Sequence, residues 1–211
     1  MQTCSKYILS SALFKRFKPK GFTLIELIVV ITIATIIMTA IIIQQGRWND
    51  HLAVNTQAYE LALIIRQAQI YSLGVKEYAA GTGDKFNIGY GISVNEDNPG
   101  QYVYFADKNK NQRYDSGEEI ETKTFTGRVA INRFCGLDSG GGERCSPNAG
   151  NVHTLCISFF RPEPEANILL LNSDGNPSSS VNPPATIYLR SPGGEEASIK
   201  VETNGQVSIA Q

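Results

Sequence analysis

Residues 22–43 read FTLIELIVVITIATIIMTAIII, and Glu26 is the only ionisable side chain among them. As an α-helix the run spans roughly 33 Å, close to the hydrocarbon thickness of a bilayer. Any fold for this chain must give that helix an apolar surrounding. It must also account for Glu26, because an ionised side chain in lipid is costly and marks a partner or a function.

The flanking charge is asymmetric. Residues 1–21 carry Lys6, Lys15, Arg16, Lys18 and Lys20 and no acid, whereas the remainder holds 14 basic and 20 acidic side chains. A basic head before an apolar run stays on the cytoplasmic side, and the residues after the head enter or cross the membrane. A mildly acidic exterior part gives no electrostatic reason to expect tight nucleic-acid binding.

Three readings of the run compete. A secretory signal peptide has a shorter apolar core followed by a small-x-small cleavage site, and Ile41-Ile42-Ile43-Gln44-Gln45-Gly46 does not supply one. A plain membrane anchor leaves Glu26 unexplained. In the third, the chain is cut between Gly21 and Phe22, and the new amino terminus lies about one helical turn from Glu26. The carboxylate then pairs with its own amine or a neighbouring subunit's and sets the register of stacked helices. An unpaired buried charge is strongly unfavourable, so such a device is selective.

Lys20-Gly21-Phe22-Thr23-Leu24-Ile25-Glu26-Leu27 resembles the prepilin peptidase site of type IV pilins and type II secretion pseudopilins. The resemblance implies cleavage after Gly21 and N-methylation of Phe22 by prepilin peptidase. It also implies that Glu26 guides entry into a filament of other pilins or pseudopilins, built on an inner-membrane assembly platform. The expected location is the inner membrane, crossed once and in contact with its lipid, with the C-terminal domain on the exterior or periplasmic side. The chain then divides into a leader at 1–21, an assembly helix at 22–46, an amphipathic continuation at 47–75 and a β-rich domain at 76–211.

Past Gly46 the pattern becomes amphipathic. Val54, Ala58, Leu61, Ile65 and Ala68 fall on one stripe of a 3.6-residue period, and Gln57, Glu60, Arg66 and Gln69 fall off it. One helix is expected over about 23–74, ending at Gly74. Many type IV pilins kink this helix at a proline. Residues 22–98 contain none, so Gly46 is the expected weak point. Trp48 reads as an interfacial anchor and His51 as a solvated surface residue.

From residue 76 onward, short β-prone runs alternate with Gly, Pro, Asn and Asp. The expected strands are 86–94, 101–106, 119–125, 128–134, 154–160, 167–171, 185–190, 197–203 and 206–210. Asn204-Gly205 joins the last two as a hairpin, and residues 176–184 read as an exposed loop. The fold class is α+β: a long N-terminal helix packed on a C-terminal antiparallel β-sheet domain. The order of features, with GYGISV at 89–94, YVYFADKNKNQRYDSGEEI at 102–120 and a final TNGQVSI, is similar to the GspH/FimT branch of the pilin superfamily.

Residues 107–118 read DKNKNQRYDSGE. Asp107, Asn109, Asn111, Asp115 and Glu118 occupy positions 1, 3, 5, 9 and 12 of an EF-hand-type loop, with the Arg113 carbonyl at position 7. Gln112 stands where the turn usually needs Gly. Two readings stay open: a Ca2+ site that stiffens the loop, and a hairpin tip whose Asn and Asp side chains cap turns. Cys135 and Cys145 bracket a Gly-rich loop where a bridge would help most, with Cys135–Cys156 as the rival pairing. No C-x-x-C supports a redox or zinc site.

No G-x-S-x-G, H-E-x-x-H or phosphate-cradling loop is present, and only His51 and His153 supply imidazoles. Ser139 in LDSGGG lacks the partners a triad needs. The expectation is a structural subunit, not an enzyme. Some FimT-like minor pilins bind DNA through basic residues near the C terminus. KVETNGQVSIAQ has one Lys and no Arg, so DNA is not an expected partner. A non-assembling anchored domain is the remaining alternative.

Overall fold

A computed structural model describes residues 21–74, 88–147, 152–179 and 181–210. The basic leader with Cys4, and the first residues of the strand expected at 86–94, lie outside the described residues. The chain forms two compact units, Met1–Ile43 and Gln44–Gln211.

One helix, α1 (Leu24–Leu73), contributes to both units. It continues through Gly46, so the expected weak point is not an interruption. One internal Gly costs about 1 kcal/mol relative to Ala, less than the surrounding turns supply. Residues 24–43 are exposed throughout, as expected of a surface made for an apolar surrounding. In the second unit the expected stripe is buried: Val54, Ala58, Leu61, Ile65 and Ala68 each have 0% exposure. Gln57, expected off the stripe, is buried too. Its Oε1 accepts the Thr126 N–H at 3.0 Å and its Nε2 donates to Glu60 at 3.1 Å, which satisfies the amide. The helix ends with Gly74 N–H donating to the Ile70 carbonyl at 2.8 Å.

The β part is two five-stranded antiparallel sheets rather than the single sheet expected. The first has the order β3 (Glu119–Thr124), β2 (Gln101–Asp107), β1 (Gly89–Asn95), β6 (Val152–Phe159), β7 (Ala166–Asn172). The second has the order β10 (Val207–Ala210), β9 (Glu196–Val201), β8 (Asn182–Arg190), β4 (Ala130–Leu137), β5 (Glu143–Cys145). The chain changes sheet after β3, β5 and β7. The helix is tied to both. Ser72 Oγ accepts the Tyr90 N–H at 3.0 Å on the first, and Arg66 donates to the Val207 carbonyl at 3.3 Å on the second. A single apolar cluster joins the helix stripe to Tyr90, Ile92, Leu155, Phe159, Ile187 and Ile199.

Two elements depart from expectation. The loop expected at 176–184 ends early, because Asn182, Pro183 and Pro184 open β8. Their position before the β8–β9 ladder begins at Ala185–Val201 spares the prolines an interior donor role. Strand β5 lies in the Gly-rich stretch read as loop, with Cys135 and Cys145 directly opposite each other and joined as a disulfide. Cys156 is buried in β6 of the other sheet, beside Ser93 Oγ at 3.5 Å.

Burial predicts a sharp phase dependence along α1. Leu61→Ala should lower the unfolding free energy of the full chain by about 2–5 kcal/mol. Leu63→Ala, at a position 67% exposed, should change it by less than about 0.5 kcal/mol. Denaturant unfolding of the two variants in detergent checks the contrast.

Candidate functional site

The segment around the expected cut begins outside the helix. Gly21, Phe22 and Thr23 precede α1 and are exposed, and an added Cβ on Gly21 would meet nothing within 4 Å. An exposed, unwound stretch is what proteolysis requires. Thr23 then caps the helix. Its Oγ1 accepts the Glu26 N–H at 3.3 Å and its carbonyl accepts the Leu27 N–H at 3.2 Å. Thr23-Leu24-Ile25-Glu26 therefore has the T-x-x-E form of a capping box. This local role was present in the sequence but concealed by the cleavage motif around it. A carboxylate in the first turn also faces the positive end of the helix dipole, worth about 0.3–1 kcal/mol at an exposed site.

The other polar side chains of residues 24–43 are satisfied within the helix. The hydroxyls of Thr32, Thr35 and Thr39 donate to the Val29, Thr32 and Thr35 carbonyls, each at 2.8 Å. That closure suits an apolar surrounding. Among the described residues, Glu26 has no cationic partner, and its side chain is exposed. The helix start thus presents one carboxylate, one open cut site and a long apolar surface.

A second cluster occupies 107–118, between β2 and β3. Asp107 is fully buried and Glu118 is 5% exposed. Backbone amides hold both. Asp107 Oδ1 accepts from Asn111 at 3.1 Å, and its Oδ2 from Gln112 at 2.6 Å. Glu118 Oε1 accepts from Lys108 at 2.9 Å, and its Oε2 from Asp115 at 3.1 Å. Burial pushes the Asp107 carboxyl above its ordinary range, with the Gln112 and Asn111 amides pulling against it. Gln112 adopts φ 66°, the left-handed conformation that favours Gly, so the mismatch is one of residue type and not of backbone path. A Gln there is strained by roughly 1 kcal/mol relative to Gly.

The donor set fits a hard cation in kind: carboxylates and amide oxygens, with no thiolate or imidazole. Its positions are less favourable. Among the described residues, only Cys135, Glu143 and Cys145 bring three His, Cys, Asp or Glu ligand atoms within 4.8 Å of one another, and those cysteines are bridged. Asp115 is instead taken up by the Asn109 and Asn111 amides at 2.7 and 2.6 Å, with Arg113 Nε at 3.7 Å. The Asn109 hydrogen bond is the chief cause holding the Asp115 carboxyl below its ordinary range. This hydrogen-bonded closure predicts that Asp107→Ala lowers stability by about 1–3 kcal/mol, by stranding amides of the turn. It also predicts that millimolar calcium leaves the full chain's Tm unchanged. Coordination would instead raise Tm by several degrees, in a way lost in Asp107→Asn.

Residues 16–42 match the family model described as the prokaryotic N-terminal methylation motif. Comparison with curated proteins and with solved structures gives no match. The motif and the apolar helix together support a membrane-anchored type IV pilin-like or pseudopilin subunit. The motif implies processing by prepilin peptidase and assembly with other pilins in a filament.

Proposed function

We propose that the chain is a minor pilin or pseudopilin of the GspH/FimT kind, a structural and non-catalytic subunit. It is cut after Gly21, N-methylated at Phe22 and drawn from the inner membrane into a pilus or secretion pseudopilus, with its C-terminal domain on the exterior side. The observation that carries this reading is the pairing of an open Gly21–Phe22 bond with a Glu26 that has no cationic partner among the described residues. Cleavage creates a positive amine one helical turn from the carboxylate. Every other polar side chain of residues 24–43 is already satisfied.

The exposed face of the second half of α1 adds support. Trp48, Leu52, Tyr59, Leu63 and Ile70 are each more than half exposed. Their spacing of 4, 7, 4 and 7 residues repeats every 11, which keeps them on one nearly straight line along the helix. This line lies away from the buried Val54–Ala68 stripe. An apolar line of that length on a folded surface marks an interaction site, and helices of neighbouring filament subunits would cover it. The DNA-uptake reading draws no comparable support, because Lys200 near the C terminus is paired with Glu202 at 2.7 Å.

Assembly in cells that carry the remaining filament components tests the proposal. Glu26→Gln should leave the chain processed and membrane-bound but remove it from the sheared filament fraction. Leu63→Glu should reduce filament incorporation several-fold while changing folding stability by less than about 0.5 kcal/mol. Wild-type incorporation of the Glu26→Gln chain would remove the assembly role given to Glu26, and absence of the wild-type chain from the filament fraction would leave the non-assembling anchor as the better account.

A further inference from the structure

One cleft of the second unit has charged residues that neither processing nor assembly uses, although its Trp48 also begins the outer apolar line of α1. It is formed by Gln44, Arg47, Trp48 and His51 of α1 with Glu195 of the β8–β9 turn, and holds about 310 Å³. That is at the small end of ligand clefts, roughly 300–1,000 Å³. Its helical wall starts at the residue after Ile43, where the apolar run ends, and its aromatic residue is 72% exposed. In a chain anchored by that run, this level is the headgroup layer, where Trp side chains concentrate.

The cleft is built rather than incidental. Glu195 is fixed by a closed turn. Ser191 N–H donates to the Glu195 carbonyl at 2.9 Å, Glu195 N–H donates to Ser191 Oγ at 3.2 Å, and Gly194 sits at φ 90°. The turn is pressed onto the helix. A Cβ on Gly193 would run into the Asp50 carboxylate, so a side chain at this position requires the Asp50 side chain or the turn to shift. On the helical side, Asn55 Nδ2 lies 3.1 Å from His51 Nδ1 and 3.4 Å from Nε2. In the tautomer whose Nδ1 accepts this contact, Nε2 carries the proton and donates.

The charges point to one class of occupant. Arg47 and Glu195 share the cleft, yet neither side chain has a hydrogen bond or ion pair among the described residues. Opposite charges held apart across an open cleft suit a dipolar ligand better than a simple anion, which Glu195 would repel. We propose that the cleft binds the headgroup of a zwitterionic phospholipid from the leaflet at which the globular unit emerges. The Arg47 guanidinium and His51 Nε2–H hold the phosphate, Glu195 accepts from the terminal primary ammonium, and Trp48 lies along the glycerol and upper acyl chain. An ammonium that donates hydrogen bonds makes phosphatidylethanolamine the fitting chemistry. Phosphatidylglycerol offers the same phosphate without a cation for Glu195. The inference rests on membrane anchoring, not on filament assembly.

Trp48 is the only tryptophan of the chain, so its fluorescence reports on the cleft directly. The full chain in maltoside micelles is titrated with short-chain phosphatidylethanolamine or phosphatidylglycerol. The expected result is a saturable blue shift with phosphatidylethanolamine at a several-fold lower concentration than with phosphatidylglycerol. Arg47→Ala and Glu195→Gln should each raise the half-saturating concentration of phosphatidylethanolamine roughly tenfold, the scale of one lost charge-assisted hydrogen bond. Glu195→Gln should also erase the preference between the two lipids. Arg47→Lys, which keeps the charge, should recover part of the affinity and so separate headgroup binding from a folding defect. Equal curves for both lipids, or curves unmoved by both substitutions, would overturn the proposal and reduce Trp48 to a non-specific interfacial anchor. Because the readout needs neither cleavage nor a filament, it fails or succeeds independently of the proposed function.

Discussion

A carboxylate near the hydrocarbon of a bilayer carries a cost of about 3 kcal/mol at the helix centre on insertion scales, and less toward the ends. Much of the N-terminal half of this chain can be understood from that constraint. The hydroxyls of Thr32, Thr35 and Thr39 turn inward to their own helix. Glu26 has no such recourse, and its position is the most favourable the helix offers. It lies in the first turn, beside the exposed N–H groups that Thr23 helps to cap. The dipole and the cap lower the penalty without removing the charge, so the carboxylate remains available to an amine. A Glu placed further along the run would lose both supports and lie too far from a new terminus at Phe22.

The same helix then takes on a second task. Beyond Gln44 its inner stripe becomes the shared surface of two sheets that exchange strands three times. Small residues at Ala58 and Ala68 let the sheets approach, while Leu61 and Ile65 fill the space between. Ser72 and Gln57 accept hydrogen bonds from Tyr90 and Thr126, and Arg66 and Gln69 donate to the Val207 and Pro164 carbonyls, so the helix is tied to different parts of the β structure. The outer line from Trp48 to Ile70 stays free of that packing. One element thus supplies the core of the folded unit and an apolar surface for a neighbour.

The N-terminal segment and the helix phase were legible in sequence because both depend on local spacing. Glu26 is read from its distance to Phe22, and the buried stripe from a 3.6-residue period. Most strands were legible for the same reason, through β-branched runs bounded by Gly, Pro and Asn. What escaped depends on contacts between distant residues. The division into two sheets is decided by which strands pair, for instance β1 with β6 and β4 with β8, and no local pattern encodes that. The three residues of β5 gain their strand from the Cys135–Cys145 bridge and from β4. Gln57 looks polar and exposed until Thr126 is found beside it. The cleft of Arg47 and Glu195 joins residues far apart in the chain, so only Trp48 and His51 stand out in the sequence. At Gln112 the backbone takes the left-handed path without the glycine that normally announces it.

The mass of the N-terminal peptide, measured on protein from membranes with and without prepilin peptidase, tests the central claim most directly. The account predicts a chain that begins with N-methylated Phe22 only when the peptidase is present. Retention of residues 1–21 in its presence, or a cut at any other bond, would contradict it and leave Glu26 without the amine on which the proposed assembly depends.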